Sequence, residues 1–380
     1  MNLADRLWST PETAASSDDR VAHARDQERI LDALAEPVVL LTVQRRIAFM
    51  NEAAKDAFGR ELADRHVTRA VRHPDVLEAL DEVMAGRRQA RTTVTLNMPA
   101  PVTYRVSLLR LGGERRGARE PVAAMSFNDV SHVIRAEAMR SDFVANVSHE
   151  LRSPLTALTG FIETLGGAAR DDAEARDRFL ATMAREAARM DRLIDDLLSL
   201  SRVEAEERVR PTRAIDLRGV VANVVAMLAA KAEAADKSIA FSPTSGEALV
   251  SGEEDQLVQV FQNLLENAVK YSRLGTPIAV DMAVQAREPG FAGPTVRVEV
   301  TDTGDGIAPE HLPRLTERFY RVDTGRSRAM GGTGLGLAIV KHIVNRHRGR
   351  LTIRSTVGEG SRFTVHLPLR GTTVDGGRLS

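Results

Sequence analysis

The sequence predicts a multidomain α+β protein made of a small α/β module, an antiparallel helical hairpin and an α/β sandwich. Three observations carry this. Short β-rich runs fill the first third; two long stretches then repeat apolar residues in steps of four and three; and from Ile215 onward alternating strands interleave with helices. The 380 residues suffice for two or three domains of ordinary size. Lys plus Arg and Asp plus Glu both number 52, and a formal net charge of zero lacks the basic footprint of a nucleic-acid binder. With no cysteine, disulfides and thiolate metal sites are excluded. No apolar run reaches bilayer length, and the N-terminus lacks the apolar stretch of a secretory signal. The expected location is cytoplasmic, with any membrane association made through partners or through an N-terminal anchor missing from this sequence.

Residues 1–27 are polar and charged ("STPETAASSDD") and read as a lead-in with little to bury. Residues 28–131 form the first module. In it "VVLLTV" and "RIAFMN" read as a hairpin, and "ARTTVTL", "VTYRVSLLRL" and "PVAAMSFNDV" as further strands. "GGERRGARE" is the exposed turn between the last two. The apolar residues Val38, Val39, Leu40, Leu41, Ile47 and Phe49 read as ordinary core rather than as a cofactor cage.

Residues 132–208 hold the two helical patterns. Phe143, Val147, Leu151, Leu155, Leu158, Ile162 and Leu165 form the seam of the first. Met183, Ala187, Met190, Ile194, Leu197 and Ser201 form that of the second. Joined by "GGAARDD", they make a hairpin that cannot close a core alone, so a second copy in a symmetric dimer completes a four-helix bundle. His149 lies two residues from both Val147 and Leu151, and at about 100° per residue it points away from the seam, toward water. Pro154 removes the backbone hydrogen bond to Glu150 and loosens the helix just past the histidine. Taken alone, an exposed His149–Glu150 pair is surface decoration. "RVRPT", from Arg208 to Thr212, reads as a linker.

Residues 213–370 form the sandwich, of mostly antiparallel type, and 371–380 a tail. In the helix 254–271 the apolar face is Leu257, Phe261, Leu264 and Ala268, while Asn263, Asn267 and Lys270 share a different face. Asparagine costs a helix roughly half a kcal/mol relative to alanine. Two on one stripe with a lysine fit a ligand: amide oxygens for a hard cation, ammonium for phosphate. From this helix alone a solvated polar face is as good a reading. On the strand "TVRVEVTDT", Val296, Val298 and Val300 alternate onto the core face, and Asp302 has the same parity. An inward carboxylate at a strand end needs hydrogen-bond donors, which an exocyclic amino group such as adenine's supplies. The following "GDG", Gly304 to Gly306, lets the backbone approach a flat ligand. Gly331, Gly332, Gly334 and Gly336 then precede an apolar helix, the pattern of an anion cradle.

Together, "HELRSPL", "NLLENAVKYS", "DTGDGI", "ERFYRVD" and "GGTGLGLAIVKHIV" resemble the H, N, G1, F and G2 boxes of sensor histidine kinases, in that family's order, over about residues 133–369. The subfamily is similar to the phosphate-regulon sensor kinases, through "RMDRLIDDLLSLSRVE" and "LTERFYRVDTGRSR". Residues 28–131 resemble a PAS sensor domain, and the sandwich resembles the GHKL (Bergerat) ATP-binding fold shared with gyrase and the mismatch-repair ATPases. The resemblance implies a protein-histidine kinase. His149 would be the phosphoacceptor, attacking the γ-phosphate of ATP in line, and Glu150 would accept or orient the proton on the other ring nitrogen. It implies Mg²⁺ on Asn267, with Asn263 assisting; Lys270 on phosphate; Tyr271 over the ribose; and Asp302 receiving the adenine amino group, in a pocket shaped by Gly304 and Gly306. Arg321 and the segment Gly332, Thr333, Gly334, Leu335 and Gly336 would cover the phosphates. Ser153 would position the water that hydrolyses the phosphorylated partner.

That partner would be the receiver domain of a response regulator, with the kinase acting as a homodimer through helices 132–208. A transporter-associated regulator is expected as input by analogy alone. One departure is visible: Thr316 stands where the family commonly has phenylalanine, leaving Phe319 as the main aromatic of its box. Two other readings remain. A conformational ATPase clamp, like the chaperone relatives, has no need of the "SHELRSP" helix. A degenerate kinase acting as a scaffold is disfavoured by the intact Asn267, Asp302 and glycine boxes.

Overall fold

The structure, a computed structural model, describes residues 26, 28–98, 100–112, 120–167, 169, 170, 172–207, 209–323, 325 and 332–370. All of the expected lead-in but Asp26, most of the turn "GGERRGARE", Arg208 of the linker, Gly331 and the tail 371–380 lie outside the described residues. Two compact units divide between Asp142 and Phe143.

In the first unit, β1 (Val38–Thr42), β2 (Ile47–Met50), β3 (Gln89–Met98), β4 (Ala100–Arg110) and β5 (Pro121–Asp129) form one sheet, ordered β2-β1-β5-β4-β3. Every neighbouring pair is antiparallel. The helices α1 (Glu52–Phe58) and α2 (Pro74–Met84) stand between β2 and β3 in the chain. Leu41, Ile47, Leu80, Leu108, Met125 and Phe127 are the largest side chains fully withdrawn from water here. β1 is buried along its whole length: Val39 and Leu41 join the main core, whereas Val38 and Leu40 pack with Leu111 and Phe49 in a satellite cluster. Asn51 is buried and fully used. Its Oδ1 accepts from the Val38 and Ala54 amides at 2.8 and 2.9 Å, capping α1, and its Nδ2 donates to the Glu36 carbonyl at 2.9 Å.

The helix α3 (Ser131–Gly166) continues through Pro154, and α4 (Ala173–Ala205) starts at Asp172, whose Oδ1 accepts from the Ala175 amide at 2.9 Å. Along the α3 seam Phe143, Val147 and Leu151 are half-buried, while Leu155 and Ile162 are exposed. The other face of α4 is occupied: Leu193, Leu200 and Val203 enter the core of the sandwich that follows.

That sandwich consists of β6 (Ala214–Asp216), α5 (Leu217–Glu233), β7 (Ser238–Ser242), β8 (Leu249–Ser251), α6 (Glu254–Tyr271), β9 (Pro277–Gln285), β10 (Thr295–Asp302), α7 (Gly336–Arg346), β11 (Arg350–Thr356) and β12 (Gly360–Pro368). The main sheet runs β11-β12-β10-β9-β7, antiparallel except for the parallel β7–β9 pair. The β6–β8 ribbon was not expected, because three-residue strands are too short to show a period. Val296, Val298 and Val300 pack with Leu257, Phe261 and Leu264 of α6, as their alternation requires.

One buried cation ties the start of the linker to the sandwich. Arg346, at the end of α7, is 3% exposed. Its Nε donates to the carbonyls of Glu206 and Val209 at 3.2 and 2.9 Å, and its Nη1 to Glu253 Oε2 and Gln256 Oε1 at 2.8 and 2.7 Å. A buried guanidinium is tolerated here because it is paired and hydrogen-bonded.

Phe261 is fully buried between α6 and the sheet. Replacing it with alanine is expected to cost the sandwich about 3–5 kcal/mol, read as a lowered denaturant midpoint.

Candidate active site

Burial of the apolar stripe of α6 turns its opposite side into a cavity of about 400 Å³. Asn263, Asn267, Lys270 and Tyr271 line it from this helix, as do Asp302 and Gly306 from the end of β10 and its loop. Arg321, Gly332, Thr333, Gly334 and Gly336 close another side. The residues singled out in sequence thus converge on one space, with exceptions noted below.

Asn263 Nδ2 donates back to the Gln259 carbonyl at 3.0 Å, which leaves Oδ1 as its outward acceptor. Lys270 is flanked by Glu266, whose Oε2 lies 4.0 Å from Nζ, while Oε1 meets Lys231 Nζ at 2.8 Å. Burial pulls the Lys270 ammonium below the usual lysine range, and the Glu266 charge opposes that shift. Burial alone would push Glu266 up, but the Lys231 hydrogen bond and the two lysine charges outweigh it and leave its pKa lowered.

Asp302 is buried, and its Oδ1 accepts from the amides of Gly304 and Ser361 at 2.9 and 3.3 Å. Burial raises its pKa, against those two donors and the nearby Lys237 charge. Gly304 is not itself on the cavity wall; it permits the wall. A Cβ there would stand 2.3 Å from the Tyr271 carbonyl oxygen, so any side chain would force the end of α6 away from the Asp302 loop.

Downstream, Phe319 has φ +63°, and its amide donates to the Gly334 carbonyl at 2.8 Å. Gly334 has φ +76°, and a Cβ on it would meet the Phe319 Cα at 2.9 Å. Phe319 therefore seats the glycine loop as well as packing its ring 5.9 Å from that of Phe143, despite Thr316 nearby. Leu335, expected with the phosphate-covering residues, has its side chain wholly in the core beside Ile339, so it reaches the site only through its backbone. An apolar side chain at the first turn of a packed helix has no better place.

His149 is exposed on α3 and Ser153 likewise, neither on the cavity wall. Glu150, next in the chain, is engaged elsewhere than at the imidazole. Its Oε2 lies 2.6 Å from Arg189 Nη2 of α4 and 3.2 Å from Arg321 Nη2 of the cavity rim. Arg321 is 5% exposed in its side chain, and its Nε is buried with no hydrogen-bond partner among the described residues.

Sequence reasoning missed a group contributed by α4. Arg192, Asp195 and Asp196 line the cavity beside Asn267 and Lys270, and Thr333 Oγ1 donates to Asp196 Oδ2 at 2.6 Å. In one dimension these belong to the polar face of a helix in another segment, and no local signal marks them. Glu266, between two asparagines of the same helix, was legible and was passed over.

Residues 139–206 match the His Kinase A (phospho-acceptor) domain, and residues 252–371 match the histidine kinase-, DNA gyrase B- and HSP90-like ATPase family. The phosphate regulon sensor protein PhoR of Pseudomonas aeruginosa is 38% identical over 343 residues, 88% of this chain and 72% of that protein. The sensor-like histidine kinase SenX3 of Mycobacterium tuberculosis is 32% identical over 373 residues, 97% of this chain and 86% of that protein. Among solved structures, histidine kinase ThkA in complex with the response regulator protein TrrA covers 90% of this chain and 98% of its own at 20% identity, with a TM-score of 0.49.

Burial raises the pKa of Asp196, opposed by the Thr333 hydrogen bond and Lys270 and reinforced by Glu266 and Asp195. A carboxyl with a raised folded pKa holds its proton more tightly folded than unfolded, so the protein gains from it as pH falls and loses as pH rises. The stability difference between wild type and Asp196→Asn should therefore move in favour of wild type on going from pH 8 to pH 5. Paired denaturant titrations at the two pH values measure it.

Proposed function

The chain belongs to the sensor histidine kinases of two-component systems, with an ATP-binding catalytic lobe, and on that premise we propose the residues that carry its reaction. His149 attacks the γ-phosphorus of ATP in line through one ring nitrogen; the bond to the β,γ-bridging oxygen breaks, ADP leaves, and a phosphoramidate forms. The proton on the second ring nitrogen is oriented or taken by Glu150. Asp302 receives the adenine amino group in a pocket bounded by Gly304 and Gly306. Tyr271 covers the ribose, Lys270 meets phosphate, and Arg321 with the segment Gly332, Thr333, Gly334, Leu335 and Gly336 covers the phosphates.

Mg²⁺ fits the donor set. Asn267 and Asn263 offer amide oxygens at the cavity, and among the described residues no group of three or more His, Asp or Glu forms an all-protein cage. A cation held by one or two side-chain oxygens, with phosphate and water completing its shell, is the arrangement magnesium favours. When bound it would offset the charge on the phosphates.

The observation that carries this reading is the convergence of the asparagine helix, Asp302 and the glycine segment on one cavity whose rim arginine, Arg321, touches the neighbour of an exposed His149. In the arrangement described, Arg189 and Arg321 hold the Glu150 carboxylate, so it is committed away from the imidazole. Transfer then requires Arg321 to exchange Glu150 for nucleotide phosphate, a charge-assisted partner of equal or greater strength.

The exposed Leu155 and Ile162 on the α3 seam favour a homodimer through helices 132–208, which would bury them in a four-helix bundle. The acceptor downstream is an aspartate of a response regulator, and Ser153 positions the water for its dephosphorylation. The similarity to the phosphate regulon sensor protein PhoR supports a role in phosphate-responsive signalling, with residues 28–131 as a PAS-type input module and a transporter-associated regulator as its partner. Among the described residues no helix is long and apolar enough to cross a membrane.

Incubation with γ-labelled ATP and magnesium tests the centre of this proposal. Acid-labile, base-stable label should appear on the wild-type chain and fall to background in His149→Gln; undiminished label in the variant would end it. Ser153→Ala should keep autophosphorylation and slow dephosphorylation of the regulator by an order of magnitude or more, about what a well-placed water contributes.

A further inference from the structure

Asp196 brings a second acid of the hairpin to the groups read as covering the phosphates. On α4 it stands three residues after Leu193 and four before Leu200, both buried in the core shared with the sandwich. Side chains at those spacings share a helix face, so Asp196 is held facing the lobe. One turn on, Ser199 of the same face donates to Gln259 Oε1 of α6 at 2.8 Å. Asp196 Oδ2 accepts from Thr333 Oγ1 at 2.6 Å, and that hydroxyl oxygen accepts from the Leu335 amide at 3.3 Å. Thr333 and Asp196 both line the cavity of about 400 Å³. Thr333 also lines a narrow crevice with Glu150 and Arg189, so it borders the Glu150 ion pairs as well.

We propose that Asp196 is a further residue that sets ATP affinity: it occupies the Thr333 hydroxyl as a placeholder for nucleotide phosphate, and ATP binds by taking that hydroxyl from the hairpin. The inference rests on the reading of Gly332 to Gly336 as the segment that covers the phosphates. A hydroxyl has one proton, so Thr333 donates either to the Asp196 carboxylate or to a phosphate oxygen, never to both. Nor do two anions share that corner, because like charges a few ångströms apart repel, and more strongly in a half-buried site than in water. Thr333 carries the one hydroxyl of the segment 332–336, and it is this group that Asp196 takes. Arg321, the other side-chain donor of the cover, is likewise held by a hairpin carboxylate, Glu150, at 3.2 Å. Both donors of the cover thus carry an acid of the hairpin where the reading places phosphate.

The test is calorimetry on the full chain with magnesium and a non-hydrolysable ATP analogue, in wild type, Asp196→Ala, Thr333→Val and the double variant. Adenosine, which has no phosphate, is titrated alongside. Asp196→Ala should bind the analogue about tenfold more tightly, near the worth of a hydrogen bond to a charged group. In the Thr333→Val background that gain should shrink to under about threefold, the mark of a coupled pair. Adenosine should bind all four proteins alike. A gain that persists in full without the hydroxyl is plain charge repulsion, and one that adenosine shares is a remodelled pocket; either would overturn the proposal. No gain in Asp196→Ala, with Thr333→Val still costing affinity, ends the placeholder and leaves the reading of the segment standing. Analogue affinity indifferent to Thr333→Val in both backgrounds ends that reading as well. Should Asp196→Ala not fold, Asp196→Asn decides, since it keeps an oxygen acceptor without the charge. Its gain should be smaller and of the same sign, and no gain there would sink the idea.

Discussion

The site depends on a single amphipathic constraint. Leu257, Phe261, Leu264 and Ala268 are pressed against the sheet with almost no exposure, and their burial leaves α6 no rotational freedom. Because side chains three and four apart share a helix face, fixing that stripe also fixes the azimuth of Asn263, Asn267 and Lys270. The two asparagines, poor helix formers, are thus held by the packing of their neighbours rather than by local preference. The same core reaches α4 through Leu193, Leu200 and Val203, which brings Asp195 and Asp196 to the cavity.

Electrostatics near the histidine follow from that packing. Glu150 stands between Arg189, on the helix that shares the core, and Arg321, on the rim of the cavity. Three charges largely out of water are stable as a set, and taking one partner from such a set costs about 3–5 kcal/mol unless another anion replaces it. Nucleotide phosphate is such an anion. On the proposed reading of Arg321, phosphate in the cavity would compete with Glu150 for that guanidinium.

Local chemistry was readable in the chain, and long-range apposition was not. The helix at 254–271 has the bounds the sequence predicts, and Asp302 points inward as its parity with Val296, Val298 and Val300 requires. The β6–β8 ribbon escaped because it is held by tertiary pairing over three residues a strand. Leu335 was drawn into the glycine motif by proximity in sequence, although its apolar side chain belongs to the core. Glu150 adjoins the imidazole in sequence, while the two ion pairs described for it come from residues 39 and 171 positions away. Arg189 and Asp196 could not be found without coordinates, since each acts on a group in another element.

The knot at Arg346 changes where the molecule can bend. Read as text, the stretch after α4 is a loose connector, the natural place for a swivel. Its first residues instead surrender the carbonyls of Glu206 and Val209 to a guanidinium that is also committed to Glu253 and Gln256. That stretch consequently travels with the catalytic lobe as its handle. Because Leu193, Leu200 and Val203 are buried in the same core, the closing turns of α4 are held against the sandwich as well, and the connector leaves no slack between helix and lobe.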